Sequence, residues 1–479
     1  MSESLKEKTA TGLFWGAMNS GTTQVLNLVF GIVLGRLLSP ADYGIVGVLT
    51  VFTAIAGNLQ SSGFTQGLIN LKHPTRNDYN SVFWFNVLVS LTVYAVLFFC
   101  APLIAKFFHE PRLTTLSRFV FLTFLISSLG ITSNAYMTKN MMNRELMVCG
   151  GVALLGSGTV GTVLAFNGFA YWSLAWQQVV YITLLNLCRF YYTPRIANFH
   201  IDFGPVRRMF RFGMRLLVTN IINTLSQNVL TFIFGRLYPM HAVGNFSQAN
   251  KWNTMADSFV ANTVGQIAQP VMVSVKEEPG REKLVFRKMM RFTAFVAFPL
   301  LFGLALVARE FTLVAIGEKW LPSVLLLQLL CVSGAFMPFY AMYQNLVISK
   351  GRSDIYLWCN VVQIVAQIAL VLVFGKYGIT AMVEAYVVFN ILYLLVWHWQ
   401  TQRVLHLRLW HVVLDIVPFA LAALIVMVAT YFATSFIENN ILLLVCRILL
   451  AALLYFLLMK LSHAVVLEEC LQYVLKKKK

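Results

Sequence analysis

Charge is what this sequence has least of. Only 12% of its 479 residues are Asp, Glu, Lys or Arg, against about 25% in soluble globular chains. Carboxylates are the scarcest, with 19 Asp and Glu against 37 Lys and Arg, and the apolar share is 58%. That balance excludes a soluble domain with a solvated surface and argues for a membrane protein built of many helices. Recognised catalytic patterns are missing too: there is no Walker A loop, no GxSxG and no HExxH. The seven cysteines (Cys100, Cys149, Cys188, Cys331, Cys359, Cys446 and Cys470) form no CxxC and no Cys/His ligand set. They read as small apolar residues. The eight histidines are dispersed. No catalytic residue, metal site or cofactor is therefore expected, and an ATP motor on this chain is disfavoured. The connections are too short for a large extramembrane catalytic domain.

What is present is a succession of apolar runs. Crossing a bilayer takes roughly 20 mainly apolar residues, which predicts about fourteen spans here. They fall near 11–37, 44–69, 80–105, 114–137, 146–166, 169–192, 213–236, 242–272, 291–308, 321–348, 355–375, 379–401, 411–434 and 441–462. Met1–Ala10 is short and polar, and the helix after it carries Asn19, Gln24 and Asn27 with no small-residue cleavage site. It reads as a retained first span rather than a signal peptide.

The net charge of +18 would suggest nucleic acid in a soluble chain. Here the basic residues flank apolar runs, so no nucleic-acid partner is expected. One side of the predicted membrane holds only Arg36, Lys106, Arg112, Arg118, Arg236, Arg309, Lys319 and Lys376. Lys251 and Arg447 lie within spans, and the remaining Lys and Arg fall on the side of the N-terminus. By the positive-inside rule both termini are cytoplasmic, which requires an even number of spans. The four lysines that end the chain read as an anchor near anionic lipid.

Gly35-Arg36-Leu37, followed by Pro40 and Gly44, recurs as Gly235-Arg236-Leu237, followed by Pro239 and Gly244. Six spans separate the copies, so both halves insert in the same direction, as in parallel-repeat transporters. The expected fold is an all-α integral membrane protein of two pseudo-symmetric six-helix lobes, 1–200 and 201–404. Two extra spans and a basic tail follow at 405–479. The spans beside each repeated turn are unusually polar. Gln248, Lys251, Ser258, Asn262, Gln266 and Gln269 keep near one face of the eighth. Asn220, Asn223, Gln227 and Thr231 do so in the seventh, Ser20, Thr23 and Asn27 beside Gln24 in the first, and Asn58, Ser62, Gln66 and Asn70 in the second. Polar groups at membrane depth line a watery cavity or hydrogen-bond between packed helices. The recurrence on four matching spans favours the cavity.

Leu34-Gly35-Arg36-Leu37-Leu38-Ser39-Pro40-Ala41-Asp42-Tyr43-Gly44 resembles the signature turn of Wzx-type polysaccharide flippases of the colanic-acid-exporter-like branch. Phe210-Arg211-Phe212-Gly213 and Gly317-Glu318-Lys319-Trp320 resemble that branch as well. The resemblance runs from about residue 8 to about residue 400. It implies membership of the multidrug/oligosaccharidyl-lipid/polysaccharide exporter superfamily and two lobes around a central cavity. It also implies passage of a polyprenyl-pyrophosphate-linked oligosaccharide across the bacterial cytoplasmic membrane. Many members carry Arg at the position of Gln248, while Lys251 keeps a basic position.

An anionic head group needs water, hydrogen-bond partners and a cation along its route. The candidate pathway is Lys251, Gln248, Asn262, Gln266, Asn220, Asn223, Gln227, Ser20, Thr23, Gln24 and Asn27. Lys251 is equally open to a structural pairing. Arg211 and Arg215 are candidate pyrophosphate contacts, although positive-inside anchoring explains them more simply. Arg36 and Arg236 either cap helix carbonyls or meet a departing phosphate. Glu384 and Arg447 either couple an ion or form packed polar contacts, and Pro299 and Pro338 are candidate kinks. Expected partners are the lipid-linked oligosaccharide, membrane lipids, a polysaccharide polymerase with other assembly proteins, and a coupling ion, proton or sodium. Two rivals remain: a multidrug or cation exporter of the same fold, and a membrane glycosyltransferase or polymerase.

Overall fold

A computed structural model describes residues 5–61, 67–69, 71, 73–194, 202–274, 279–350, 352–405 and 407–468. Side chains are described within these ranges except at 5–14, 16–17, 56–61, 208–219, 223, 226, 262–274, 279, 353 and 404. The described residues are helical, without a strand. In order the long helices are α1 (Leu5–Leu37), α2 (Pro40–Ser61), α3 (Arg76–Phe107), α4 (Leu113–Lys139), α5 (Asn143–Phe166), α6 (Tyr171–Tyr192) and α7 (Gly204–Leu237). Then come α8 (Met240–Ser274), α9 (Pro279–Leu306), α10 (Pro322–Ser349), α11 (Ser353–Phe374), α12 (Ile379–Leu405), α13 (Leu409–Ala433) and α14 (Asn440–Leu461).

Each predicted span coincides with one of these helices over the described residues, except that the second, 44–69, runs past the end of α2 at Ser61 into residues outside them. Helices α7 and α9 begin well before the apolar stretch that announces them, because a helix continues into the polar boundary while a hydropathy signal does not. Two are interrupted. α4 has a hitch at Phe121, and α10 breaks at Ala335–Phe336, with Pro338 in the first turn of its second half. A missing N–H costs nothing in a first turn. Pro299 stays inside a continuous α9. Among the described residues nine helices are long and apolar enough to cross a membrane: α3, α4, α5 and α9 through α14. Four of the remaining five are the polar-striped α1, α2, α7 and α8.

By their contacts the residues group into two compact units, Met1–Gly244 and Asn245–Lys479. In the first unit α1 lies along α5, α5 along α6, and α3 along α4. Helix α7 lies along α2 and α3. Helix α3 starts with a reciprocal cap. The Thr75 N–H and hydroxyl donate to Asp78 Oδ2, both at 2.8 Å, and the Asp78 N–H returns a bond to Thr75 Oγ1 at 3.3 Å. Thr75→Ala should cost about 1 kcal/mol, read as a lowered unfolding temperature of the purified protein in detergent. An unchanged temperature would show that this cap contributes nothing.

The second unit is built around α9, which packs against α10, α13 and α14, while α12 packs on α10 and α11. Three of its carboxylates are fully buried among the described residues, and each is paired. Asp415 of α13, 2% exposed, receives Arg287 and Arg291 of α9. Glu282 receives Lys350 at 2.7 Å, and Glu310 receives Arg447 at 2.9 Å. Arg447 is thus a packed polar contact, whereas Glu384 is exposed. Tyr455 of α14 also donates to the Phe295 carbonyl of α9 at 3.1 Å. The two C-terminal helices are clamped to α9 along its length.

Candidate functional site

Helix α8 carries the least satisfied polar groups in the second unit. Gln248 is 0% exposed, and neither its Oε1 nor its Nε2 has a hydrogen-bond partner among the described residues. The same holds for Asn245 Oδ1, Ser247 Oγ, Trp252 Nε1, Asn253 Oδ1 and Asp257 Oδ1. Each buried unmatched group costs about 1–3 kcal/mol, and this helix segment carries donors and acceptors that the described residues leave unused. The Trp252 ring packs edge-on against Phe311, with centroids 5.0 Å apart. Asn253 presses on the break in α10, where a Cβ at Gly334 would lie 2.4 Å from its Oδ1. The half-buried Lys251 has its ammonium 5.4 Å from the Trp252 ring centroid, within cation–π reach.

The other predicted residues are spread. Asn220 on α7 is half-buried and Gln227 exposed. On α1, Ser20, Thr23 and Gln24 are half-buried and Asn27 is exposed. The side chains of Asn262, Gln266, Asn223, Arg211 and Arg215 lie outside the described residues, as do those of Asn58, Ser62, Gln66 and Asn70. The residues that sequence reasoning left out are Asn245, Ser247 and Trp252, together with the buried Asn253 and the half-buried Asp257. Their signal was present: two polar faces on one helix instead of one.

The repeated turns meet each other. Gly44 at the start of α2 and Gly244 at the start of α8 lie backbone to backbone. A Cβ at Gly44 would sit 1.9 Å from the Met240 carbonyl oxygen, and one at Gly244 would sit 1.7 Å from that of Pro40. Only glycine permits this approach. The first turn is closed by a reciprocal cap in which the Ser39 N–H and hydroxyl both donate to Asp42 Oδ2, at 2.9 and 2.6 Å. A Cβ at Gly235 would lie 2.7 Å from Val48 Cγ2 and 2.9 Å from Phe108 Cε1, so α7 also passes close to these side chains. Beneath the crossing Phe52 is ringed by Phe108, Phe121 and Phe232, with centroids 6.1–6.3 Å away. Arg236 bonds His109 Nδ1 at 2.7 Å and lies over Phe107. Nearby, the hydrogen-bonded Arg112 holds the Glu110 carboxyl below its usual range.

A cavity of about 690 Å³ lies between α3 and the start of α7. Among the described residues Phe85, Leu88, Val89, Val93, Phe203 and Val206 line it, together with the polar Thr92 and Arg207. It offers room for hydrocarbon rather than for a sugar.

Comparison with known proteins agrees with this architecture. The family described as polysaccharide biosynthesis protein matches residues 33–325. The chain is 25% identical over 379 residues to the lipopolysaccharide biosynthesis protein WzxC of Escherichia coli K12, covering 78% of this chain and 76% of that protein. It is 23% identical over 417 residues to the teichuronic acid biosynthesis protein TuaB of Bacillus subtilis 168, covering 85% of each. The solved structure of the lipid II flippase MurJ in an inward closed conformation aligns with a TM-score of 0.76. That alignment covers 95% of this chain and 100% of that one at 12% identity, and it shows a shared fold.

Proposed function

The chain belongs to the polysaccharide biosynthesis protein family of Wzx-type membrane flippases, and on that premise we propose that it moves a polyprenyl-pyrophosphate-linked oligosaccharide between leaflets of the bacterial cytoplasmic membrane by alternating access. The observation that carries this reading is the unsatisfied ladder on α8. A sugar hydroxyl both donates and accepts, and so does the set formed by Gln248, Trp252, Asn253 and Ser247. The indole of Trp252 suits the apolar face of a sugar ring, and Lys251 supplies a cation for phosphate oxygens. The ladder holds one carboxylate, Asp257, beside one lysine, which is poor design for an exporter of organic cations. Transport of this kind makes and breaks no covalent bond, so the protein acts as a carrier and not as an enzyme.

In this reading the lobes 1–200 and 201–404 alternate about the polar helices. Both termini are cytoplasmic, the head group is admitted near Arg211 and Arg215, and the Gly44–Gly244 crossing closes the external side. A polymerase that consumes the flipped oligosaccharide and a coupling ion complete the expected partners.

The test is reconstitution of the purified protein with a fluorescent lipid-linked oligosaccharide. Wild type should flip it, and Lys251→Ala should slow flipping about tenfold or more, as expected for loss of a charge-assisted hydrogen bond. Inactive wild type overturns the function. Full-speed flipping by Lys251→Ala removes that residue from the pathway and leaves the function standing. Cysteines replacing the half-buried Ser247, Lys251 and Ser258 should be reachable by a polar thiol reagent. Uniform protection from both sides would return the ladder to helix packing.

A further inference from the structure

The turn that joins α3 to α4 is fastened to the end of α7 by an imidazole. Arg236 Nη1 lies 2.7 Å from His109 Nδ1 and 3.2 Å from Nε2. A guanidinium only donates, so the ring nitrogen it meets is an acceptor, and the shorter approach assigns that role to Nδ1. The Nε2 atom then carries the ring proton, and the ring is neutral. The backbone is committed to this pose. His109 has φ +55°, in the left-handed region that His and Asn enter more readily than most residues. Its N–H is tied to the Lys106 carbonyl at 3.3 Å. Packing carries the contact inward. Arg236 lies over the Phe107 ring at 5.4 Å, and Phe107 stacks on Phe232 of α7 with centroids 5.5 Å apart. Phe108 meets the same Phe232 ring edge-on at 5.5 Å. Just beyond, the fully buried Val48 of α2 faces Gly235.

His109 and Arg236 are both exposed, so a proton from solution can reach the ring. Lys106, Glu110 and Arg112 stand in the same turn. Arg118 of α4 lies over Phe98, and Tyr171 of α6 lies against Arg112. Arg36 ends α1, Asp42 and Tyr43 open α2, and Tyr238 and His241 flank the turn into α8. Only Glu110 and Asp42 of these are carboxylates. Glu110 is held by both arms of Arg112, at 2.7 and 2.9 Å, and Asp42 Oδ2 is held by Ser39. Among the described residues neither carboxylate bonds His109 or Arg236.

We propose that His109 is a proton site that governs this contact. The neutral ring accepts the Arg236 bond and keeps the end of α7 on the α3–α4 turn. A proton from solution takes the Nδ1 lone pair, the Arg236 bond is lost, and two cations face each other in its place. Their repulsion parts α7 from the turn and uncovers Val48. The contact is therefore kept at high pH and lost as pH falls through the range in which imidazoles change charge, from about 8 to about 5. The turn into α8 follows Arg236 directly, so release favours opening of the Gly44–Gly244 crossing. That consequence rests on the transport reading, and the proton site itself does not.

The reporter is Val48→Cys in the full chain, purified in detergent and treated with a polar thiol reagent from about pH 8 to about pH 5. Labelling is counted above that of the chain without the new cysteine. Thiol chemistry itself changes with pH, so each rate is divided by that of the same reporter carrying His109→Asn at the same pH. Asparagine offers an amide oxygen near the Nδ1 position, suits a positive φ and takes no proton. The ratio should rise about fivefold as the pH is lowered, which is the loss of one hydrogen bond. With Arg236→Gln added to both proteins the ratio should stay flat. A flat ratio without that substitution, or a rise that persists with it, overturns the proton site. The expected ratio in a protein that flips no lipid-linked oligosaccharide upholds the proton site and overturns the transport reading alone.

Discussion

Gly44→Ala should trap the protein away from the state in which the two signature turns touch. The new methyl would lie 1.9 Å from the Met240 carbonyl oxygen, so the ends of α2 and α8 must part by about 1–2 Å to regain van der Waals distance. Overpacking costs about 1–3 kcal/mol, and here the cost falls on the touching state alone. Its population should drop by about one to two orders of magnitude. A carrier that must visit that state in each cycle slows in proportion. Gly244→Ala should act in the same way, because its Cβ meets the Pro40 carbonyl oxygen at 1.7 Å. Gly151→Ala on α5 is the control, since nothing lies within 4 Å of its Cβ. Alanine is the better helix former, so that variant should fold and flip at least as well as wild type. The measurements are the flipping rate and the reactivity of a cysteine at His241, in the same turn. Wild-type rate and reactivity in Gly44→Ala would sink the gate.

The second large effect is expected at Arg447. Its guanidinium bonds Glu310 at 2.9 Å, Thr434 Oγ1 at 3.2 Å and the Leu306 carbonyl at 3.4 Å. The Arg447 and Glu310 side chains are only 6% and 3% exposed. Arg447→Met removes one charge and strands the other in an apolar surrounding, which costs about 3–5 kcal/mol. Arg447→Met combined with Glu310→Met should recover most of that loss, because a buried pair is often worth no more than apolar packing of similar volume. Unfolding temperatures of the two single variants and the double variant complete the cycle. A double variant as unstable as the sum of the singles would mean that the two residues do not act as a pair. Since Arg447 and Glu310 join α14 to the end of α9, the single variants should also expose α13 and α14 to limited proteolysis before the rest of the chain.

Much of the fold was legible because its cause is local. Long apolar runs leave the backbone no option in lipid but the helix, so α3 and α9 through α14 are written directly in composition. Even the polar helices were visible, since Ser, Asn and Gln recur at helical spacing on α1, α7 and α8. The site was less legible. Spacing put Gln248 and Lys251 on one stripe, yet Gln248 is sealed inside the second unit while Lys251 is half-open. Periodicity reports which residues share a face and not what covers that face. Asp415 went unnoticed for a related reason. A single carboxylate within an apolar run has no local partner, and its two arginines lie far back in the sequence on α9.

By itself, then, the sequence determined the all-helical membrane class, the repeat and its two glycine-bearing turns, because hydrophobic length, charge asymmetry and turn chemistry act over a few residues. Only the tertiary structure decided that Gly44 and Gly244 touch, that Asp415, Glu282 and Glu310 are paired, and which polar atoms of α8 stay unmatched among the described residues. Those depend on which distant helices come within a few ångströms of one another, and packing sets that distance.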